Sequence, residues 1–300
     1  MGALKIGIIV IVVLLIFFIA TLVFGALAAW ILSRPRKKTY LDNYFFTPFE
    51  TGVPFEPCGF VNSDGIILRG WWLPGKNGAV VIGLGGRLGT KSDLLGVGSY
   101  LNKAGYNVLL FDYRDCGESD PGPTSLGELE ISDAIAAIDF ARSRASGAKI
   151  GIVGFSLGAS LGIIASSKNL NIDSLICDSP FSSTKGLFAR RICPRFPSIA
   201  VPSLFPIRFF TKIFYGYEVG DLDVLACASN VQLTKLLVIA SARDSVIPVS
   251  QQREVFAAAS CPKELWEETN AEHCGAYFND RPLYVKKAIE FFDETLLKNR

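Results

Sequence analysis

Three hundred residues with a formal net charge of +2, half of them hydrophobic, suffice for one large domain or two small ones. So balanced a charge, with no basic stripe interleaved with aromatics, argues against nucleic acid as a partner. Seven cysteines without regular spacing or a CxxC pair argue against a disulfide framework and a structural zinc site, and read mostly as small core residues suited to a reducing compartment.

The first feature in the chain is an uncharged apolar run over residues 6–33. As a helix its roughly 28 residues reach about 42 Å at ~1.5 Å per residue, enough to cross a hydrocarbon core of ~30 Å with tilt. A cleaved signal peptide is the alternative, but signal h-regions run only about 7–15 residues and end at a small-residue cleavage site. Residues 1–33 therefore read as a retained transmembrane anchor. The basic cluster Arg34, Arg36, Lys37 and Lys38 outweighs Lys5 and the α-amino group, so the positive-inside rule puts the rest of the chain on the cytoplasmic face. The Met-Gly start is no myristoylation signal, since Ile6 stands where a serine or threonine is required.

Residues 34–55 hold prolines and aromatics without periodicity and read as a juxtamembrane linker. Residues 56–300 are enough for one buried sheet with helices on both faces. Strands are expected over 66–73, 79–84, 107–112, 149–153, 174–177, 236–240 and 264–267. Helices are expected over 92–103, 125–143, 157–167, 251–259 and 282–297. Such alternation implies a mostly parallel sheet covered on both faces, with its ligand site at the carboxyl ends of the strands. Residues 181–217, rich in Phe, Pro, Ile and Arg, break the rhythm. They read either as irregular helices packed on the sheet or as a small cap over the site, touching lipid through Phe and Arg.

Gly154-Phe155-Ser156-Leu157-Gly158 matches G-x-S-x-G and sits between an apolar strand and a helical run, the setting in which a tight turn lifts a serine above the sheet edge. A serine hydroxyl needs a base within hydrogen-bond reach. The chain has one histidine, His273, in a turn-rich segment after the last strand, so any histidine-assisted mechanism uses it. The acid that orients the imidazole is Asp244, on the loop after strand 236–240, with Asp178 at the end of strand 174–177 as the runner-up. The oxyanion requires backbone N–H donors. Leu157, after the nucleophile, supplies one, and Arg87, on the loop opened by Gly85 and Gly86, supplies the other.

Together these motifs resemble the α/β-hydrolase superfamily, specifically its small-capped serine hydrolases with an N-terminal anchor. The resemblance runs from about residue 57 to the C-terminus. It rests on Asp64-Gly65, Arg69-Gly70-Trp71-Trp72, Phe111-Asp112-Tyr113-Arg114 with Gly117 and Ser119, GFSLG, Asp244 with Ile247-Pro248, and His273. Two positions depart from the family pattern. Gly85-Gly86 replaces the usual His-Gly before the oxyanion donor, and Arg114-Asp115-Cys116-Gly117 replaces Arg-Gly-His-Gly. The resemblance implies an esterase-like reaction without metal or organic cofactor, on a small-molecule or lipid-like acyl substrate. A serine peptidase acting on short peptides and a non-catalytic membrane scaffold are the alternatives.

Overall fold

The structure, a computed structural model, describes residues 2–39, 45–168, 170–192, 195, 198 and 201–298. Its strands are β1 (Glu56–Val61), β2 (Ile67–Leu73), β3 (Val80–Leu84), β4 (Asn107–Phe111), β5 (Ile150–Phe155), β6 (Ser174–Asp178), β7 (Lys235–Ser241) and β8 (Lys263–Glu268). Its helices are α1 (Gly2–Ser33), α2 (Leu95–Lys103), α3 (Glu130–Arg144), α4 (Leu157–Ser166), α5 (Thr184–Ile192), α6 (Leu204–Tyr215), α7 (Val224–Ala228), α8 (Val249–Ala258), α9 (Ala276–Asn279) and α10 (Arg281–Phe292).

The strands form one sheet in the order β1-β2-β4-β3-β5-β6-β7-β8, antiparallel at β1/β2 and β2/β4 and parallel from β4 to β8. Strands β3 and β6 are buried along their whole length, which is why they read as continuous apolar runs rather than alternating ones. One apolar layer joins α3, α4 and α8 to one face of the sheet, and a second joins α2 and α10 to the other. This is the α/β-hydrolase fold, as expected.

The short helices α7 and α9 were not foreseen, and four further elements differ from expectation. β1 was not foreseen, because Pro57 and Gly59 blur its pattern; an edge strand tolerates a proline that a central one does not. Helix α3 starts at Glu130 rather than 125. Gly127 adopts φ +124°, and the Ser125 hydroxyl accepts from the Gly127 and Leu129 amides, so residues 125–129 form a turn. The expected helix 92–103 opens with a 3-10 turn over Lys91–Leu94, and α10 gives way to a π-type turn at Asp293–Leu297. Within 181–217 the described residues form α5, a 3-10 turn and α6; residues 193, 194, 196, 197, 199 and 200, with Cys193 among them, lie outside the description. The other six cysteines are free thiols, and burial pushes Cys58 up to about 11 and Cys116 up to about 12.

Residues 34–55 pack on the domain instead of hanging free, with residues 40–44 outside the description. The Arg36 amide donates to Asp115 Oδ2 at 2.7 Å and its guanidinium to Asp115 O at 2.8 Å. Lys38 Nζ donates to Gly117 O at 3.0 Å and also to Ser119 O. Phe45 and Phe55 meet the Trp71 ring edge-on. Helix α1 is likewise docked at its C-terminal end. Residues 4–20 are exposed all round, whereas Gly25, Ala29 and Ser33 are buried. A Cβ at Gly25 would come within 2.7 Å of Pro206 Cβ, so a larger residue would push α6 off α1. The last carbonyls of α1, which lack helical partners, accept from Thr124: its hydroxyl bonds Leu32 O and its amide bonds Ser33 O, each at 3.1 Å. Ser33 Oγ and Tyr217 Oη are 2.6 Å apart.

Candidate active site

Ser156 stands between β5 and α4 with φ 52° and ψ −110°, a strained conformation that turns the chain sharply from strand to helix. The flanking glycines are steric necessities. A Cβ at Gly158 would lie 2.0 Å from Leu84 O, and one at Gly154 would lie 2.5 Å from Gly158 O. The turn is fixed on both sides: the Ser156 amide donates to Asp178 O at 2.8 Å and the Gly158 amide to Gly85 O at 3.0 Å.

Three side chains from distant parts of the chain meet there. His273 Nε2 lies 2.9 Å from Ser156 Oγ, and His273 Nδ1 lies 2.7 Å from Asp244 Oδ2. An ionised carboxylate only accepts, so Nδ1 carries the proton and Nε2 is left to accept from the serine hydroxyl. The Asp244 side chain is wholly buried, and its charge is met by donors. The Val246 and Ile247 amides donate to Oδ1 at 2.8 and 2.7 Å, and Gln252 Nε2 donates to Oδ2 at 3.0 Å. The His273 loop is tied to β6 and β7: the Cys274 amide donates to Ser179 Oγ at 3.1 Å and the Arg243 amide to Ala271 O at 2.9 Å.

Asp178, the other candidate acid, makes a hydrogen bond with Ser179 Oγ at 3.0 Å and none with His273. Burial pushes its carboxyl up to about 7, so it is a poor anionic partner for an imidazolium at neutral pH. The structure thus joins Asp244, not Asp178, to His273. Cys274, beside the histidine, has its thiol pushed well above the ordinary range by burial, which leaves it a weak rival nucleophile.

The two residues expected to donate to the oxyanion, Leu157 and Arg87, both line the cavity into which Ser156 opens. Leu157 carries the first amide of α4, one of those with no acceptor inside the helix. A side-chain carbon at Gly86 would stand 3.9 Å from Ser156 Cβ, so the loop after β3 passes close to the serine, and Arg87 lines the same cavity. The Arg87 side chain donates through Nε to Ser125 O at 3.1 Å.

Ser156 and His273 open into a cavity of about 680 Å³, walled mainly by apolar groups such as Leu126, Leu187, Phe188 and Tyr277. This is the size and character of a small-molecule site. Sequence reasoning missed three of its supports. Gln252 carries no motif, Ser179 lies far from the histidine it steadies, and Leu32 lines the cavity from the end of α1.

Comparison with known proteins agrees with this architecture. A family model described as "alpha/beta hydrolase fold" matches residues 79–213. The Bacillus subtilis protein YqkD is 30% identical over 192 residues, 63% of this chain and 63% of its own length. The Saccharomyces cerevisiae membrane protein YNL320W is 23% identical over 246 residues, covering 79% of this chain and 80% of its own. Among solved structures, the Pyrococcus furiosus esterase Pf2001 superposes with a TM-score of 0.68 at 25% identity, over 88% of this chain and 97% of that one. A strained serine elbow at the edge of a mostly parallel sheet, and these likenesses around it, mark the chain as an α/β hydrolase in fold.

Proposed function

We propose that this hydrolase is a membrane-anchored serine esterase that cleaves carboxylic esters through an acyl-enzyme on Ser156. The observation that carries the reading is the unbroken row Asp244–His273–Ser156, at 2.7 and 2.9 Å, opening into an apolar cavity.

Ser156 Oγ attacks the ester carbonyl while its proton passes to His273 Nε2. Asp244 accepts from Nδ1 throughout and stabilises the imidazolium. The carbonyl oxygen gains negative charge in a tetrahedral intermediate, and the amides of Leu157 and Arg87 are the donors assigned to it. Collapse of the intermediate breaks the bond to the alkoxy group, which leaves as an alcohol with the proton from Nε2. Water then attacks the acyl-serine, giving its proton to Nε2. That proton returns to Ser156 Oγ as the carboxylic acid departs, and the enzyme is restored.

The apolar lining favours an acyl chain over a peptide, whose amides would be left without partners there. Helix α1, apolar from Leu4 to Ser33, supports a single-pass anchor, and the basic residues that follow it support a cytoplasmic domain. A relative named as a membrane protein points the same way. A fluorophosphonate probe should label the full chain at Ser156 and not its Ser156→Ala variant. A panel of p-nitrophenyl esters and dipeptidyl amides should show ester turnover alone. A folded chain that the probe leaves unmodified overturns the reading.

A further inference from the structure

Helix α6 presents three faces. Leu204, Ile207 and Thr211 are buried, and Arg208 pairs with Glu218 and Asp221 at 2.7 and 2.6 Å. The third face, Phe205, Phe209 and Ile213, follows i, i+4, i+8 spacing and is 78, 51 and 59% exposed. None of these three side chains lines the cavity. On a water-facing surface such a stripe is unfavourable.

The length of α1 supplies the missing environment. Its freely exposed stretch, residues 4–20, is roughly 17 residues or about 25 Å long, short of a ~30 Å hydrocarbon core. The core must therefore reach about as far as Gly25, the residue on which Pro206 of α6 rests. Trp30, with the Arg34 guanidinium 4.2 Å from its ring centroid, is the pairing expected at the headgroup level. Gly25 lies about 7.5 Å along the helix below it, within the ~5–10 Å depth at which interfacial helices bury their apolar face. Because Pro206 faces Gly25 and Tyr217 bonds Ser33, α6 climbs along α1 from the hydrocarbon to the surface, with Phe205 deepest. Leu32, the penultimate residue of α1, lines the cavity that holds Ser156.

We propose that α6 is an interfacial helix whose Phe205 and Phe209 lie in the hydrocarbon of the bilayer that α1 spans, with Ile213 at the headgroup level, so that the cavity beside Leu32 draws its acyl ester from the lipid phase rather than from water. This rests on the anchored-esterase reading and names where its substrate resides. Arg208 and Lys212, on the adjacent face, are long enough to reach the headgroups.

The test uses the full chain in phosphatidylcholine vesicles. p-Benzoylphenylalanine replaces Phe205, Phe209 or, as control, Val61, which is 60% exposed on the edge strand β1. After irradiation, positions 205 and 209 are expected to carry a lipid adduct by intact mass and position 61 none. No adduct at 205 and 209, or a cross-link to a second copy of the chain instead, overturns the proposal. This readout requires no turnover, so it is independent of whether Ser156 is a nucleophile. A Phe205→Ser/Phe209→Ser variant is expected to lose about tenfold or more of its rate on a long-chain ester held in vesicles, while keeping p-nitrophenyl acetate hydrolysis within about twofold. An unchanged vesicle rate overturns the lipid-phase supply. Loss of p-nitrophenyl acetate hydrolysis in Ser156→Ala separately decides the esterase reading.

Discussion

Gln252 donates to the same Asp244 oxygen that holds His273, with Nε2 to Oδ2 at 3.0 Å. Its amide also donates to Ile247 O at 2.9 Å and accepts from the Ser241 amide at 2.9 Å, so one buried side chain ties β7 to the loop carrying the acid. Gln252→Met keeps the volume and removes all three bonds. Its kcat on p-nitrophenyl butyrate should fall about 10- to 100-fold with little change in KM, since the loss is one of alignment. An unaltered kcat would show that Asp244 needs no such support.

The two candidate acids are separable by substitution. Asp244→Asn should lower kcat by about 10⁴, because the imidazole loses the partner that fixes its tautomer. Asp178→Asn should leave kcat within about threefold, because Asp178 does not reach His273. Equal losses in the two variants would contradict the assignment.

Asp178 carries a pH signature of its own. Burial raises its carboxyl from the ordinary 3.8 to about 7. Between those values the folded state holds a proton that the unfolded chain has released. The stabilisation is therefore fully present below about pH 4 and is lost as pH rises towards 7. Asn at 178 cannot ionise, so Asp178→Asn should gain stability over the parent at pH 7.5 relative to pH 5. Urea melts of both proteins in detergent at the two pH values would check this. A difference that does not change with pH counts against it.

Arg114 is almost wholly buried against the equally buried Asp133, at 2.7 Å, with Asp64 at 2.6 Å. Arg114→Met leaves the Asp133 charge uncompensated and should cost about 3–5 kcal/mol in the same melts. This pair also explains why Asp64 and Arg114 are such visible signposts: they knit the domain and do not line the cavity.

Much of the fold was legible because buried parallel strands leave uninterrupted apolar runs, as in β3 and β4. Ser156 was legible because its turn demands glycines at 154 and 158, and His273 because the chain contains no second histidine. Strand β1 was not, since Pro57 and Gly59 are admitted only by its edge position. Gln252 was not, because a helix residue that reaches back to a loop leaves no spacing to read. The docking of α1 was hidden for a different reason. Residues that face lipid and residues that face protein are drawn from the same apolar set, so the run looks uniform from Leu4 to Ser33. Arg36 and Lys38 counted as free charge in the sequence, yet both bond to the 115–119 loop.

Removing residues 1–33 should therefore do more than release the domain. Leu126, Leu204, Ile207 and Tyr217 lose the cover of Ala28 and Leu32, and the cavity loses part of its wall. The shortened chain should melt several degrees lower and hydrolyse soluble esters more slowly than the full chain in detergent. Identical melting and rates would show that α1 is dispensable to the cavity.

Ser33 joined to Tyr217, and Arg36 to Asp115, leave no slack between the apolar helix and the domain that carries Ser156. A floppy tether would let the hydroxyl sweep a hemisphere of solution. Clasped in this way, a hydroxyl that acts as proposed, with α1 in a bilayer, would work at one fixed height and one orientation. Collisions then occur in two dimensions, and turnover should follow the mole fraction of ester per leaflet rather than its bulk molarity.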